Sequence, residues 1–232
     1  MEYHVGLIPD GNRRWARARN LDPWEGHRVG ADKAESFIEW CIDHDEIWEI
    51  SVYALSEENF GRPQGELRKL FTLYEEKLME IRQRKKIEQA RLRINLVCTK
   101  QDPIPKGLMR LARDLSHKTA HYDGKVLNML LGYTGQSEIL DSVSSPRNRI
   151  RNLLFGLREE DLVRGLQVTS PCDLIIRTGD EEHGREAKSG FLLWQSAYSE
   201  YYHIDKLFPD VTVDDFDAAW AYFIRTVRNR GL

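Results

Sequence analysis

Short apolar runs closed by turn residues alternate along this chain with longer stretches whose apolar positions recur every three or four residues. His4–Pro9 reads as a strand ended by the turn Pro9-Asp10-Gly11-Asn12. Ala31–Asp43 places Phe37, Ile38, Trp40 and Cys41 at helical spacing, and Ile47–Leu55 reads as a buried strand. Glu66–Gln89 carries Leu67, Leu70, Phe71, Tyr74, Leu78 and Ile81 on one face, which predicts one long amphipathic helix. A strand over Arg91–Cys98, a helix over Pro105–His117 and a strand over Lys125–Leu131 follow. Glu138–Leu166 reads as helix interrupted near Ser144-Ser145-Pro146. Asp173–Arg177 is a strand, Phe191–Ser199 the start of a helix, and Asp214–Arg228 a terminal helix.

Strands separated by helices predict an α/β fold: a central, mostly parallel sheet of about six strands with helices on both sides. No repeat or linker divides the chain, so a single domain over residues 1–232 is expected. Ligands of such sheets bind outside the carboxyl ends of the strands. The positions to inspect are therefore Asp10, Ser56, Gly132 and Arg177.

Composition narrows the function. With 41% hydrophobic and 31% charged residues over 232 positions, the chain can bury a core, which excludes a disordered or collagen-like protein. Its 34 Lys and Arg against 37 Asp and Glu leave a net charge of −3, which argues against a nucleic-acid coat but not against a local anion site. Cys41, Cys98 and Cys172 form no CxxC pair, so neither a zinc ribbon nor a disulfide framework is predicted. Nothing reads as a signal peptide or as a run of about 20 apolar residues. A cytoplasmic protein is expected, in contact with a membrane only through a lipidic substrate or product.

Four blocks carry chemistry. In Pro9-Asp10-Gly11-Asn12-Arg13-Arg14-Trp15 a strand ends at an acid and a helix begins, and Arg17 and Arg19 bring more cations. Helix-start N–H groups bind anions, and a carboxylate at their lip gains a task if a metal bridges it to phosphate. An N-capping aspartate before a solvated, Arg-rich turn would look the same. Gly26-His27-Arg28-Val29-Gly30 opens the next helix, and its glycines suit close approach to a second phosphate; a plain turn with a surface histidine is the competing reading. Ser56-Glu57-Glu58-Asn59-Phe60-Gly61-Arg62-Pro63 reads as a capped turn with Arg62 held extended before proline, either a structural loop or a mobile one reaching a phosphate. Asp173-Leu-Ile-Ile-Arg177-Thr178-Gly179 places Arg177 at a strand end. Beyond it, His183, Arg185, Lys188 and Ser189 precede Phe191-Leu-Leu-Trp194-Gln195-Ser-Ala-Tyr198-Ser-Glu200.

Together these blocks resemble the cis-prenyltransferase family, typified by undecaprenyl diphosphate synthase. Asp10-Gly-Asn-Arg-Arg-Trp15-Ala is similar to the signature Asp-Gly-Asn-Gly-Arg-Trp-Ala, with Arg13 in place of the second glycine. Gly26-His-Arg-Val-Gly30, Ser56-Glu-Glu-Asn59-Phe-Gly-Arg62-Pro63, Asp173–Gly179 and Phe191–Glu200 resemble the other blocks, in the family's order. Gly132-Tyr-Thr-Gly135 stands where the family has Asn-Tyr-Gly-Gly, and the stretch between Thr178 and Phe191 is a few residues longer than usual.

The resemblance implies an Mg²⁺-dependent enzyme, a homodimer, that condenses isopentenyl diphosphate with an allylic diphosphate to form a cis double bond. A hydrophobic tunnel is implied, walled by Ala31–Cys41 and Leu67–Ile81 over the strand Val126–Leu131, with Trp40, Phe71 or Leu130 closing it. Asp10 and Glu200 are implied as metal carboxylates, and Gly11, Asn12, Arg13, Arg14 and Trp15, with Arg62, as the cradle of the allylic diphosphate. Arg177, Arg185 and Ser189 are implied to hold isopentenyl diphosphate, while His27, Ser56 and Asn59 lie near the reacting groups. No nucleic-acid partner is expected. Two alternatives share the fold: prenyl transfer to a different acceptor, and a non-catalytic partner subunit. A phosphohydrolase would want a second acid two positions after Asp10, where Asn12 stands.

Overall fold

In the computed structural model, which describes residues 2–179 and 189–229, the strands are β1 (Tyr3–Ile8), β2 (Ile47–Ser56), β3 (Arg93–Val97), β4 (Val126–Tyr133), β5 (Leu174–Thr178) and β6 (Glu200–Ile204). They form a six-stranded sheet in the order β3-β4-β2-β1-β5-β6, every pairing parallel. The chain leaves β1 towards β2 on one side and receives β5 on the other, so the carboxyl ends of β1 and β5 flank a topological switch point.

Nine helices connect the strands among the described residues: α1 (Asn12–Ala18), α2 (Pro23–Asp43), α3 (Gln64–Gln83), α4 (Lys85–Gln89), α5 (Lys106–Thr119), α6 (Gly135–Ser144), α7 (Pro146–Phe155), α8 (Glu159–Gly165) and α9 (Val213–Asn229). Short 3-10 turns at Glu57–Gly61 and Phe208–Asp210 complete them. Strand alternation divides the core. Val5, Leu7, Ile50, Leu127, Leu174 and Ile176 join the larger cluster with residues of α2, α3, α5 and α9, whereas Ile8, Tyr53, Leu130 and Ile175 join a second one with Phe191 and Leu192. A parallel sheet covered on both faces needs apolar side chains on both, which is why the strand sequences are nearly continuous apolar runs.

Four expectations change. The helix expected from Ala31 begins at Pro23, so Gly26 and Gly30 lie inside α2 rather than in a turn before it. Their use is close packing: a Cβ on Gly26 would stand 1.9 Å from the Asn12 carbonyl oxygen, and one on Gly30 2.2 Å from Asn12 Oδ1. The single helix expected over Glu66–Gln89 breaks at Arg84, which adopts φ −79° and ψ 122° and pairs with Glu35 and Glu39 of α2. The stretch Phe191–Ser199 forms successive turns, because Gly190 at φ 75° and Leu192 at φ 40° interrupt any helical ladder. The strand β6 that follows had no separate signal in the sequence.

Candidate functional site

Asp10 follows β1 directly, and β5 fixes it. The Asp10 N–H donates to Thr178 Oγ1 (2.9 Å), while the Thr178 hydroxyl donates to the Asp10 carbonyl (2.8 Å). Arg177, almost fully buried, donates from Nη2 to Asp10 Oδ2 (2.9 Å) and from Nη1 to Ser189 Oγ (2.9 Å). The other carboxylate oxygen accepts from the Gly11 N–H (2.6 Å) and lies 3.4 Å from Arg14 Nη2. Gly11 makes the turn into α1 at φ 103°, a conformation costly for any residue with a Cβ. α1 has only seven residues, and Arg14 and Arg177 set two guanidiniums beside the Asp10 carboxylate.

A second group of charges stands at the start of α3. Glu66 Oε1 lies 3.3 Å from Arg13 Nε and 3.2 Å from Arg62 Nη1, and Arg62 Nη1 also donates to His27 Nε2 (3.0 Å). Burial, with Arg62 and Arg13 beside it, drives the His27 pKa down to about 3, so its imidazole is neutral and Nε2 accepts. Ser56 and Asn59 close the turn after β2, the Ser56 N–H donating to Asn59 Oδ1 (3.3 Å).

Both groups open on one cavity of about 500 Å³. Its polar mouth is lined by Asp10, Gly11, Asn12, Arg13, Arg14, Arg17, His27, Ser56, Asn59, Arg62, Arg177 and Ser189. Beyond the mouth the lining is mostly apolar, with Ala31, Ala34, Ile38 and Ile42 of α2, Leu70, Leu73, Tyr74, Leu78 and Ile81 of α3, and Val52, Leu127, Met129 and Leu131 of the sheet, while the charged residues Glu35, Glu39, Lys77, Arg84 and Lys86 border it between α2 and the α3–α4 segment. Tyr74 donates its hydroxyl to the Ala54 carbonyl (2.5 Å), and burial pushes its pKa up to about 12. Ile87 of α4 lines the cavity too, beyond the break at Arg84.

Several expected site residues lie elsewhere. Trp15 donates its indole N–H to Asp210 Oδ1 (2.7 Å), with Arg19 over its ring, and so ties α1 to the Phe208–Asp210 turn instead of lining the cavity. Glu200 pairs in register with Leu174 at the amino end of β6, whereas Asp10 sits with Thr178, paired with Ile204, at the other end. Four residues of strand, about 13 Å, separate those ends, so one chain does not bring Glu200 and Asp10 together. Trp40 packs against Phe37, Phe216 and Trp220, Phe71 is core, and Leu130 belongs to the other sheet face; none lines the cavity. His183, Arg185 and Lys188 lie outside the described residues.

Two residues had escaped notice. Glu66 shares its carboxylate among the mouth arginines, and its spacing four residues after Arg62 was a usable signal for an ion pair on a helix. His203 stands beside Arg177 in the β5–β6 register and shares Gly179 as a neighbour with Arg14 and Asp10. Only the pairing of a strand with no sequence signal reveals it.

The profile of the family described as "Putative undecaprenyl diphosphate synthase" matches residues 8–231. A Methanopyrus kandleri protein named tritrans,polycis-undecaprenyl-diphosphate synthase (geranylgeranyl-diphosphate specific) is 36% identical over 98% of this chain and 84% of its own length. An isoprenyl transferase of Thermus thermophilus is 36% identical over 93% of this chain and 83% of its own. Among solved structures, a probable undecaprenyl diphosphate synthase from Campylobacter jejuni superposes with a TM-score of 0.76 at 25% identity, covering 96% of this chain and 95% of its own. Lavandulyl diphosphate synthase from Lavandula x intermedia superposes with a TM-score of 0.80 at 24% identity, covering 95% of this chain and 94% of its own, a likeness of fold. With profile, relatives and motif blocks in agreement over nearly its whole length, the chain belongs to the cis-prenyltransferase family and is a prenyltransferase.

Proposed function

We propose that this enzyme elongates an allylic diphosphate with isopentenyl diphosphate to a cis-polyprenyl diphosphate, with residues 1–232 acting as one catalytic domain. The observation that carries this reading is a cavity that joins a cationic mouth to a mostly apolar lining, so that it can take a diphosphate at the mouth and a hydrocarbon chain along the apolar walls. Geranylgeranyl diphosphate is the expected starter, since the Methanopyrus kandleri relative carries that specificity in its name.

Leaving-group departure spreads positive charge over the allylic carbons and concentrates negative charge on the diphosphate. Arg13, Arg14 and Arg62, with the Gly11 and Asn12 backbone, are positioned to receive that charge where the apolar walls exclude water. Arg177 and Ser189, already joined to each other and to Asp10, are assigned to isopentenyl diphosphate, together with Arg185. Neutral His27, bonded to Arg62, stands beside the leaving group with Ser56 and Asn59.

Asp10 is the carboxylate we assign to Mg²⁺. Among the described residues no group of three His, Cys, Asp or Glu side chains forms a closed cage. A half-exposed carboxylate between arginines fits an ion that takes most of its oxygens from diphosphate. The ion would supply Lewis-acid neutralisation of the leaving diphosphate. Glu200 is assigned to a subunit interface instead, because it begins the edge strand β6 next to exposed Tyr198. A homodimer closed along that edge is proposed. Among the described residues no helix is long and apolar enough to cross a membrane, so contact with one would be peripheral.

Purified protein with Mg²⁺, labelled isopentenyl diphosphate and either farnesyl or geranylgeranyl diphosphate should yield longer cis products, and Asp10→Ala should lower turnover at least a hundredfold while remaining folded. Absence of incorporation with every starter would remove the elongation reading, and near-normal turnover of Asp10→Ala would remove the metal assignment.

A further inference from the structure

Tyr53 stands where β2, the end of β4 and Ser189 meet. Its side chain is nearly buried on the sheet face that also holds Phe191. The ring is tilted against Phe191, with centroids 5.5 Å apart, and stands edge-on to Tyr133 at 6.1 Å. A ring wedged in this way has the direction of its hydroxyl set by packing. That hydroxyl donates to the Tyr133 carbonyl oxygen (2.9 Å) and to the Ser189 carbonyl oxygen (3.1 Å), one proton shared between the two. Burial, and after it Glu58 and Glu57, push the Tyr53 pKa up, against a smaller lowering by a hydrogen bond with the Ser56 side chain, so the phenol keeps its proton and stays a donor. A buried phenol needs one acceptor, and Tyr133 supplies it. The bond to Ser189 is additional, and it falls on a residue of the cavity mouth.

Ser189 is a residue that has to be held. It is exposed, and its φ of 47° is left-handed, a conformation that a side chain with a Cβ disfavours; Gly190 follows at φ 75°. A residue keeps such a conformation where its surroundings impose it. Ser189 is gripped on both sides: Arg177 Nη1 donates to its Oγ (2.9 Å), and Tyr53 donates to its carbonyl. A serine oxygen that accepts from a guanidinium can still donate its own proton to a phosphate oxygen. A return of Ser189 to a right-handed φ would swing Oγ away from Arg177.

We propose that Tyr53 is a positioning residue for isopentenyl diphosphate: through the Ser189 carbonyl it keeps the Ser189 hydroxyl on Arg177, where the two meet the diphosphate together. The inference rests on the assignment of Arg177 and Ser189 to that substrate made above.

Initial rates are measured for wild type, Tyr53→Phe, Ser189→Ala and the double variant, varying isopentenyl diphosphate at saturating geranylgeranyl diphosphate and then the reverse. Phenylalanine keeps the ring packing and removes one oxygen. Rates are read well below the Tm of the least stable variant, so that lost stability does not enter KM. Tyr53→Phe should raise the KM for isopentenyl diphosphate about tenfold, the loss of one hydrogen bond to a charged ligand, with kcat and the KM for the starter within about twofold of wild type. Ser189→Ala should do the same, and the double variant should exceed either single one by no more than about twofold. Wild-type KM in Tyr53→Phe, a loss confined to kcat, equal rises for both substrates, or multiplied effects in the double variant would overturn the proposal and leave the elongation reading standing. Isopentenyl diphosphate alone, without starter, should raise the wild-type Tm, and Tyr53→Phe should need about tenfold more of it for the same rise. That arm reads the subsite whether or not elongation occurs. The same concentration dependence in both proteins would overturn the proposal, and a wild-type Tm that does not respond would remove the subsite and the proposal with it.

Discussion

Replacing Gly26 by alanine tests how the site is held together. Gly26 lies in the first turns of α2, where α1 crosses it, and α1 carries Asn12, Arg13 and Arg14 to the cavity mouth. A Cβ at Gly26 would meet the Asn12 carbonyl oxygen at 1.9 Å, the Asn12 carbonyl carbon at 2.8 Å and Ala16 Cβ at 3.3 Å. Two of these are backbone atoms and cannot rotate away, so the helices must part by about 1 Å before the contact becomes tolerable. Forced repacking of that kind costs about 1–3 kcal/mol, and the better helix propensity of alanine returns at most about 1 kcal/mol. A net loss of about 1–2 kcal/mol lowers Tm by roughly 2–8 °C in a chain of this size. Activity should suffer more, because about 1 Å of misplacement at reacting groups costs on the order of a hundredfold in rate.

The neighbouring glycines supply controls. At Gly30 the added Cβ meets the end of the Asn12 side chain at 2.2 Å, which can swing aside, so Gly30→Ala should keep its Tm within a few degrees. Gly65 has no heavy atom within 4 Å of an added Cβ, so Gly65→Ala should be neutral or slightly stabilising. Thermal unfolding followed by circular dichroism, with initial rates on the same preparations, measures all three. Wild-type Tm and wild-type rate in Gly26→Ala would refute the argument that backbone contact between α1 and α2 sets the site.

Other outcomes follow from the same geometry. Removing the shared carboxylate in Glu66→Ala leaves Arg13 and Arg62 facing each other, at a cost of roughly 2 kcal/mol; inorganic pyrophosphate should restore Tm more in this variant than in wild type, and equal shifts would count against the shared-carboxylate account. His27 has its pKa lowered by burial first and by Arg62 and Arg13 next, so the folded state binds fewer protons than the unfolded one below pH 6.5. Stability contributed by His27 is therefore complete above about pH 6.5 and is lost as pH falls towards 3, roughly 2 kcal/mol by pH 5; chemical denaturation at pH 7.5 and 5 should show a steeper loss for wild type than for His27→Gln. Trp40 lies outside the cavity and Ile87 on its wall, so Ile87→Trp should shorten the products while Trp40→Ala leaves their length unchanged, as chromatography of the products would show.

Of the residues that line the cavity mouth, those that are local in sequence were legible. Asp10, Gly11 and the arginines after them belong to one strand end and one turn, and turn chemistry is written in neighbouring residues. Arg177 was legible for the same reason, as a cation at the end of an apolar run. The break at Arg84 was not, because the helical pattern of leucines and isoleucines runs through it; what turns the chain is the pull of Glu35 and Glu39 from another helix. Strand β6 was hidden behind Phe191–Tyr198, an apolar run that fits a helix until the left-handed Leu192 is known. Gly26 was recognised as a close approach, but sequence offered no means to choose between a phosphate and another helix.

The cavity also explains why α2 carries three stripes of different chemistry. Phe37, Trp40 and Cys41 face the core, and Ala34, Ile38 and Ile42 line the cavity, whose border Glu35 and Glu39 of the third stripe share. The third stripe, Asp32, Glu35, Glu39 and Asp43, meets cations of α3 and the segment after it: Lys77 with Asp32 (2.6 Å), Arg84 with Glu39 (3.0 Å) and Lys86 with Asp43 (3.1 Å). Two helices that enclose a cavity cannot interdigitate over its length, so side-chain packing alone leaves their register weakly fixed. Pairs this exposed contribute about 0–1 kcal/mol each, too little to carry the fold. Their repeating match does penalise sliding, since one turn of slip would unpair every cation at once. The ladder thus sets where α3 lies along α2, and with it the length of apolar wall that runs from the cationic mouth to the charged border at Arg84 and Lys86.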